Sequence, residues 1–258
     1  MGCAMDVCHN RTPGLAMMEI SANRPGVALV TGGSRGIGRA IVEALAAADW
    51  RVYFCSRSRD SLSRGLDELR RAYPDRVSGW LCDVAEQDQI DELVGRVVNE
   101  EGRIDCLVNN AGIGLFAPLD EISGDEWRRV MDTNLNSAFY GMRAVAPIMK
   151  KQGSGWIFNL VSLAARHPFA RGTAYNASKA GLVALSEAAM LDLRQFGIRV
   201  AAILPGSVDT GFGHPKPGDD DSWKLAPEDV ARAVIDLLAY PDRALPSLIE
   251  LRPSRPPL

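Results

Sequence analysis

The sequence predicts an α/β fold: a doubly wound parallel sheet of about seven strands with helices on both faces. Two observations carry that prediction. Short apolar, β-rich runs alternate with helical stretches along most of the chain, the pattern of right-handed βαβ units. A glycine-rich turn follows the first of these runs and leads straight into a helical stretch. There is no internal linker and no solenoid-type repeat, so one domain over residues 25–258 is the economical reading, preceded by a loose extension at 1–24.

The elements follow in order. Val27–Thr31 is the first strand, of the kind a buried parallel strand shows, and Ile37 to about Ala48 is helical. Arg51–Cys55 is a second strand and Asp60–Ala72 a charged helix. Val77–Cys82 is a third strand, followed by a helix over Gln87–Asn99. Ile104–Asn109 makes a fourth, and a long helix spans roughly Asp125–Lys151. Gly155–Val161 is the fifth strand, Ala174–Phe196 the next helix, and Arg199–Leu204 the sixth strand. Pro227–Leu238 reads as a helix with proline in its first turn, and Ser247–Leu251 as a last edge strand.

Composition excludes several functions. The 258 residues are 47% hydrophobic and 24% charged, with a net charge of −3 and the two signs interspersed. No basic stripe suggests docking on nucleic acid, and no run approaches the ~20 apolar residues of a membrane span. The five cysteines lack paired spacing; Cys3 and Cys8 with His9 lack a second ligand pair for a metal. Cys55, Cys82 and Cys106 sit in or beside apolar β-like runs, which predicts buried reduced thiols and a cytoplasmic protein.

The turn after the first strand reads Thr31-Gly32-Gly33-Ser34-Arg35-Gly36-Ile37-Gly38. Glycines between a strand and a helix let the backbone approach a pyrophosphate, which then sits at the helix N-terminus. The arrangement is of the Rossmann type, although its spacing is Gly-x3-Gly-x-Gly rather than Gly-x-Gly-x-x-Gly.

Tyr175 and Lys179 stand four residues apart in a stretch that reads as helix, so they share one face. A free phenol has a pKa of about 10, and bringing it near 7 takes roughly 4 kcal/mol of differential stabilisation. A neighbouring ammonium favours the phenolate, and a positively charged cofactor ring is a second contributor.

Together these motifs resemble the short-chain dehydrogenases/reductases of the compact, single-domain type, over about Val27–Leu251. Asp83 and Val84 follow the third strand, where the family contacts the adenine. Asn109-Asn110-Ala111-Gly112 ends the fourth strand, Asn134 lies in the long helix, and Ser162 ends the fifth strand. Pro205-Gly206 follows the sixth strand, with Val208 and Thr210 where the family holds the carboxamide. The resemblance implies cofactor contacts from Gly32, Ser34, Arg35, Gly36, Ile37, Gly38, Asp83, Val84, Asn110, Ala111, Gly112, Pro205, Gly206, Val208 and Thr210. It implies that Tyr175 is the acid/base, that Lys179 bonds the nicotinamide ribose and lowers the phenol's pKa, and that Ser162 holds the substrate oxygen. It implies, too, that Asn134 holds a water that links Lys179 to solvent.

Charge favours NADP(H). An NAD site places an acid at the end of the second strand, whereas here Ser56 and Arg57 stand there, with Arg35 on the same rim. The expected substrate is a small carbonyl or secondary alcohol, with Leu163, Phe169 and Ala170 as wall candidates and a second specificity loop over Gly211–Lys224. His167 and His214 lie in loops and offer no competing catalyst.

Two alternatives stand beside this reading. One is a 3-oxoacyl-carrier-protein reductase, which many such chains resemble. The basic residues that dock an acidic carrier in those enzymes align here with Tyr140 and Leu191, and the usual Gly-rich C-terminal end is replaced by Arg252-Pro-Ser-Arg-Pro-Pro-Leu. The other is an NADP-sensing binding protein without turnover. The resemblance also implies a homodimer or homotetramer built on the two long helices.

Overall fold

A computed structural model describes residues 26–212 and 222–255. The predicted extension at 1–24, His214 and the aspartates of the second specificity loop lie outside the described residues. Seven strands form one sheet: β1 Val27–Thr31, β2 Arg51–Ser56, β3 Val77–Leu81, β4 Cys106–Asn109, β5 Gly155–Leu160, β6 Ile198–Pro205 and β7 Leu248–Leu251. Every pairing is parallel and the order is β3-β2-β1-β4-β5-β6-β7. The fold class expected from the alternation is therefore the observed one, including β7 at an edge.

Period-2 alternation distributes each central strand between two cores. Ala28 and Val30 face a layer with Ile41 and Leu45 of α1 (Gly36–Ala47), Leu69 of α2 (Arg59–Ala72) and Val234 of α7 (Pro227–Leu238). Val27 and Leu29 face the opposite layer, with Leu93 and Val97 of α3 (Gln87–Glu101), Val145 and Met149 of α5 (Ser137–Gln152) and Leu193 of α6 (Thr173–Leu193). The central strands β1, β4 and β5 are buried along their whole length. That is why they read as mainly apolar runs rather than as alternating ones.

The long helix departs from expectation in its middle. It starts at α4 (Gly124–Met131) behind a capping box of Ser123 and Glu126, passes through one π turn at Asp132–Asn136, and continues as α5. A π turn inserts a residue without disturbing the apolar stripe on either side, so periodicity reads straight through it. It carries Asn134.

Sheet order positions the site. From β1 the chain runs outward to β3, then returns to place β4 beside β1. The connections leaving β1 and β4 therefore diverge, and a crevice opens over the C-terminal ends of these strands. A buried polar ladder fixes the far wall of that crevice. Asn109 on β4 donates to Asn159 Oδ1 on β5 at 2.8 Å, and Asn159 donates to Ser186 Oγ on α6 at 2.8 Å. These bonds tie α6, which carries Tyr175 and Lys179, to the middle of the sheet.

Candidate active site

One cavity of about 1360 Å³ fills the crevice, larger than the roughly 300–1,000 Å³ of a drug-sized pocket. All the predicted cofactor and catalytic residues line it except Asn134, which is 1% exposed behind its wall.

At one end lies the glycine turn. Gly36 adopts φ +54°, a left-handed conformation that favours glycine. A Cβ on Gly38 would sit 2.3 Å from the carbonyl oxygen of Gly32, so only glycine lets α1 begin this close to β1. No side chain caps the N-terminus of α1, and its first N–H groups open onto the cavity. Such a terminus favours an anion. The turn is braced from β4: Asn110 Nδ2 donates to the carbonyls of Thr31 and Gly32 at 2.9 and 3.2 Å, and the amides of Asn110 and Ala111 both donate to Thr31 Oγ1 at 3.0 Å. Thr210 packs across the mouth, 3.3 Å from where a Gly36 Cβ would stand. These features fit a dinucleotide pyrophosphate.

Beyond the turn the cavity becomes cationic and hydroxylic. Ser34 Oγ lies 3.2 Å from Ser56 Oγ and 2.9 Å from Ser61 Oγ. Arg35 is exposed on the rim, and Arg57 stands 3.8 Å from Asp83 with about half its side chain exposed. Asp83 also accepts from the amide of Ala85 at 3.1 Å. Two contributors escaped sequence analysis. Arg64 lines this end from α2, one turn after Ser61. Gly65 lets α2 approach, since a Cβ there would fall 2.8 Å from the Ser34 carbonyl. The available signal was the i, i+3 spacing of Ser61 and Arg64, which put both on the face of α2 nearest the turn.

At the other end Tyr175, Lys179 and Ser162 meet. Ser162 follows β5, accepts from the amide of Ala164 at 3.1 Å, and hydrogen-bonds the Tyr175 hydroxyl. Lys179 is 4% exposed and donates to the carbonyl of Leu160 at 2.8 Å. Burial lowers its pKa from 10.5 to about 8. The expected depression of the phenol by Lys179 is not what this geometry delivers. Burial raises the Tyr175 pKa, the Ser162 hydrogen bond opposes that rise, and the ammonium sits 5.9 Å from the ring centroid, turned to Leu160.

The Asn134 side chain makes three hydrogen bonds. Its Oδ1 accepts from the amide of Ile113 at 2.8 Å, and its Nδ2 donates to the Ile113 carbonyl at 2.9 Å and to Ser178 Oγ at 3.1 Å. The side chain thus clamps the loop after β4 to α6. Gly112 lies between this amide and Lys179: its Cβ would be 3.4 Å from Asn134 Oδ1 and 3.6 Å from Lys179 Nζ.

Cys55, Cys82 and Cys106 are buried free thiols. Exposed His167 lies 3.0 Å from Arg252, which also donates to Glu250 at 2.8 Å. Arg166 pairs with Glu250, and Arg128 with Asp125. Among the described residues no cluster of His, Cys, Asp or Glu is placed to hold a metal, and no helix is long and apolar enough to cross a membrane.

A parallel sheet with a glycine turn at its switch point, opening on a dinucleotide-sized cavity, defines a Rossmann-type nucleotide-binding protein. Comparison with known proteins narrows the class. The family model for short chain dehydrogenases matches residues 26–220. An uncharacterized oxidoreductase of Staphylococcus saprophyticus is 34% identical over 231 residues, covering 88% of this chain and 97% of that protein. An alcohol dehydrogenase of the archaeon Thermococcus sibiricus, solved with 5-hydroxy-NADP, superposes with a TM-score of 0.83 at 30% identity, over 91% of this chain and 100% of the other. A metagenomic short-chain oxidoreductase solved with NADP gives 0.78 at 35% identity, over 89% and 98%. The chain belongs to the short-chain dehydrogenase family of oxidoreductases.

Proposed function

We propose that this protein is an NADP(H)-dependent oxidoreductase that interconverts a carbonyl and a secondary alcohol, with Tyr175 as general acid/base. The observation that carries the reading is the convergence of Tyr175, Ser162 and buried Lys179 at the end of the cavity opposite the arginines. NADP(H), when bound, supplies or accepts the hydride. In the reducing direction Ser162 holds the substrate oxygen, and Tyr175 passes its phenolic proton to that oxygen as negative charge develops on it. Lys179 hydrogen-bonds the nicotinamide ribose. Asn134, in the π turn, holds the water through which the proton is replaced. Arg35, Arg57 and the serines between them hold the 2′-phosphate, and Asp83 and Val84 border the adenine.

The same reading takes residues 25–258 as one domain in the cytoplasm and the chain as a homodimer or homotetramer. The exposed apolar side chains of Phe139 on α5 and Leu191 on α6 support pairing through these helices. Fluorescence titration with NADPH and NADH, followed by a cofactor-oxidation screen over ketones, aldehydes, sugars and 3-oxoacyl thioesters, tests the function. Tight NADPH binding with turnover of at least one carbonyl compound is expected. Binding without turnover of any of them means a sensor, not an enzyme.

A further inference from the structure

Three phenylalanines converge on the ring of Tyr175. Phe116 comes from the loop after β4, Phe169 from the loop after β5 and Phe212 from the loop after β6. Their centroids lie 5.7, 6.4 and 5.9 Å from that of Tyr175. Phe116 is the hub, 5.7 Å from Phe169 and 6.5 Å from Phe212. Loops from three neighbouring strands thus place their aromatic side chains around one phenol.

Backbone sites next to the rings are bare. A Cβ on Gly114 would stand 2.8 Å from the Phe116 ring and 3.0 Å from that of Phe212, and one on Gly172 would stand 2.6 Å from Phe169. Glycine at these two positions is what admits the rings. Yet the rings do not bury one another: Phe116, Phe169 and Phe212 remain 37%, 47% and 48% exposed. With about 200 Å² available on each side chain, the three leave on the order of 200 Å² of aromatic surface beside the acid/base. Isolated exposed apolar residues are ordinary, but a cluster aimed at a reacting group marks a ligand surface. Arg252 and His167, which line the same end, are spent on each other and on Glu250.

Ring geometry adds a preference beyond apolarity. Phe116 meets Tyr175 at 69° and Phe212 at 76°, and the pairs made by Phe169 and by Tyr175 with Phe212 are tilted at 42–51°, so the cage presents both ring edges and ring faces. A flat aromatic guest completes such edge-to-face contacts, whereas a saturated guest of equal size gains only area. Building on the reductase reading above, we propose that the cage selects ketones that carry an aryl group one carbon removed from the carbonyl carbon. The reaction is ketone plus NADPH plus a proton giving alcohol plus NADP+, the proton passing from Tyr175 to the carbonyl oxygen.

Phenylacetone and cyclohexylacetone test this, because neither carbonyl is conjugated and their ring sizes match. We expect kcat/KM for phenylacetone to exceed that for cyclohexylacetone by about tenfold. Phe116→Leu should bring the ratio close to one by raising KM for phenylacetone, with NADPH affinity and far-ultraviolet circular dichroism unchanged. Equal turnover of the two ketones, or a ratio that survives Phe116→Leu, overturns the cage and leaves the reductase standing. If neither ketone nor any other carbonyl compound is reduced, the reductase reading falls. Calorimetric titration of the NADP+-loaded protein then decides the cage alone: tighter binding of phenylacetone supports it, and equal or absent binding overturns it.

Discussion

Lys179 donates its ammonium to the carbonyl of Leu160, the last residue of β5, at 2.8 Å. The bond anchors one helix of the site to the sheet end that precedes Ser162, and it holds a positive charge in a nearly dry place. Desolvation is the cause of that lysine's lowered pKa, about 8 against 10.5. Two consequences follow, one for stability and one for the legibility of the site.

The stability consequence has a definite sign. Below about pH 8 the lysine is charged in both the folded and unfolded chain, and the folded state carries the full desolvation cost. Between about 8 and 10.5 the folded protein releases the proton while the unfolded chain keeps it, so stability rises with pH by an amount on the order of 3 kcal/mol. Lys179→Met lacks that rise, and at neutral pH it leaves the cofactor-free protein as stable as the parent or more so. Urea denaturation of both proteins across this range checks it; parallel stability curves contradict it.

The buried ladder of Asn109, Asn159 and Ser186 predicts the opposite kind of variant. Asn159→Ala removes one hydrogen bond from Asn109 Nδ2, which keeps a 3.5 Å contact with the Ala138 carbonyl, and one from Ser186 Oγ, which still donates to the Leu182 carbonyl at 2.6 Å; both lie in the interior. Each lost bond costs about 1–3 kcal/mol, so the variant is destabilised by roughly 2–6 kcal/mol. Because α6 loses one of its ties to the sheet, turnover also declines while the glycine turn keeps its cofactor affinity. Chemical denaturation together with a cofactor titration separates the two effects. A loss below about 1 kcal/mol means the ladder is a bystander.

In the proposed function Arg57 and Arg35 set cofactor choice, and Arg64 lines the same end of the cavity. Arg57→Ala removes a charge-assisted hydrogen bond to a 2′-phosphate and is expected to weaken NADP(H) binding about ten- to a hundredfold, leaving NAD(H) unchanged. Comparable dissociation constants for the two cofactors in the parent protein, or equal weakening of both in the variant, refute the assignment. Arg64→Ala moves selectivity in the same direction by a smaller amount, because it acts from α2 across the cavity.

Local pattern carried most of the fold and part of the site. Each strand and helix announced itself by its own periodicity, the glycine turn, Tyr175 and Lys179 by spacing within or just after an element, and Ser162 only by the family resemblance. What stayed hidden depends on contacts between distant segments. Phe116 and Phe212 are ordinary loop residues until three loops close over Tyr175. Asn159 reads as a polar interruption of a buried strand until Asn109 and Ser186 flank it. The π turn at Asp132–Asn136 shifts helical register by one residue, which an amphipathic stripe tolerates, so Asn134 was placed on the right helix but not in its unusual backbone. The phenol's raised pKa was missed for a related reason: adjacency on a helix face says nothing about where the ammonium points.

The central claim is that the Tyr175 phenol delivers the proton while a reduced nicotinamide gives the hydride. The most direct test is a single-turnover measurement with NADPH pre-bound, in which the parent and Tyr175→Phe are mixed with a ketone that the parent reduces and the loss of nicotinamide absorbance is followed. The account predicts that the variant binds NADPH as the parent does and oxidises it at least about a hundredfold more slowly. Oxidation at the parental rate by the fully loaded variant contradicts it.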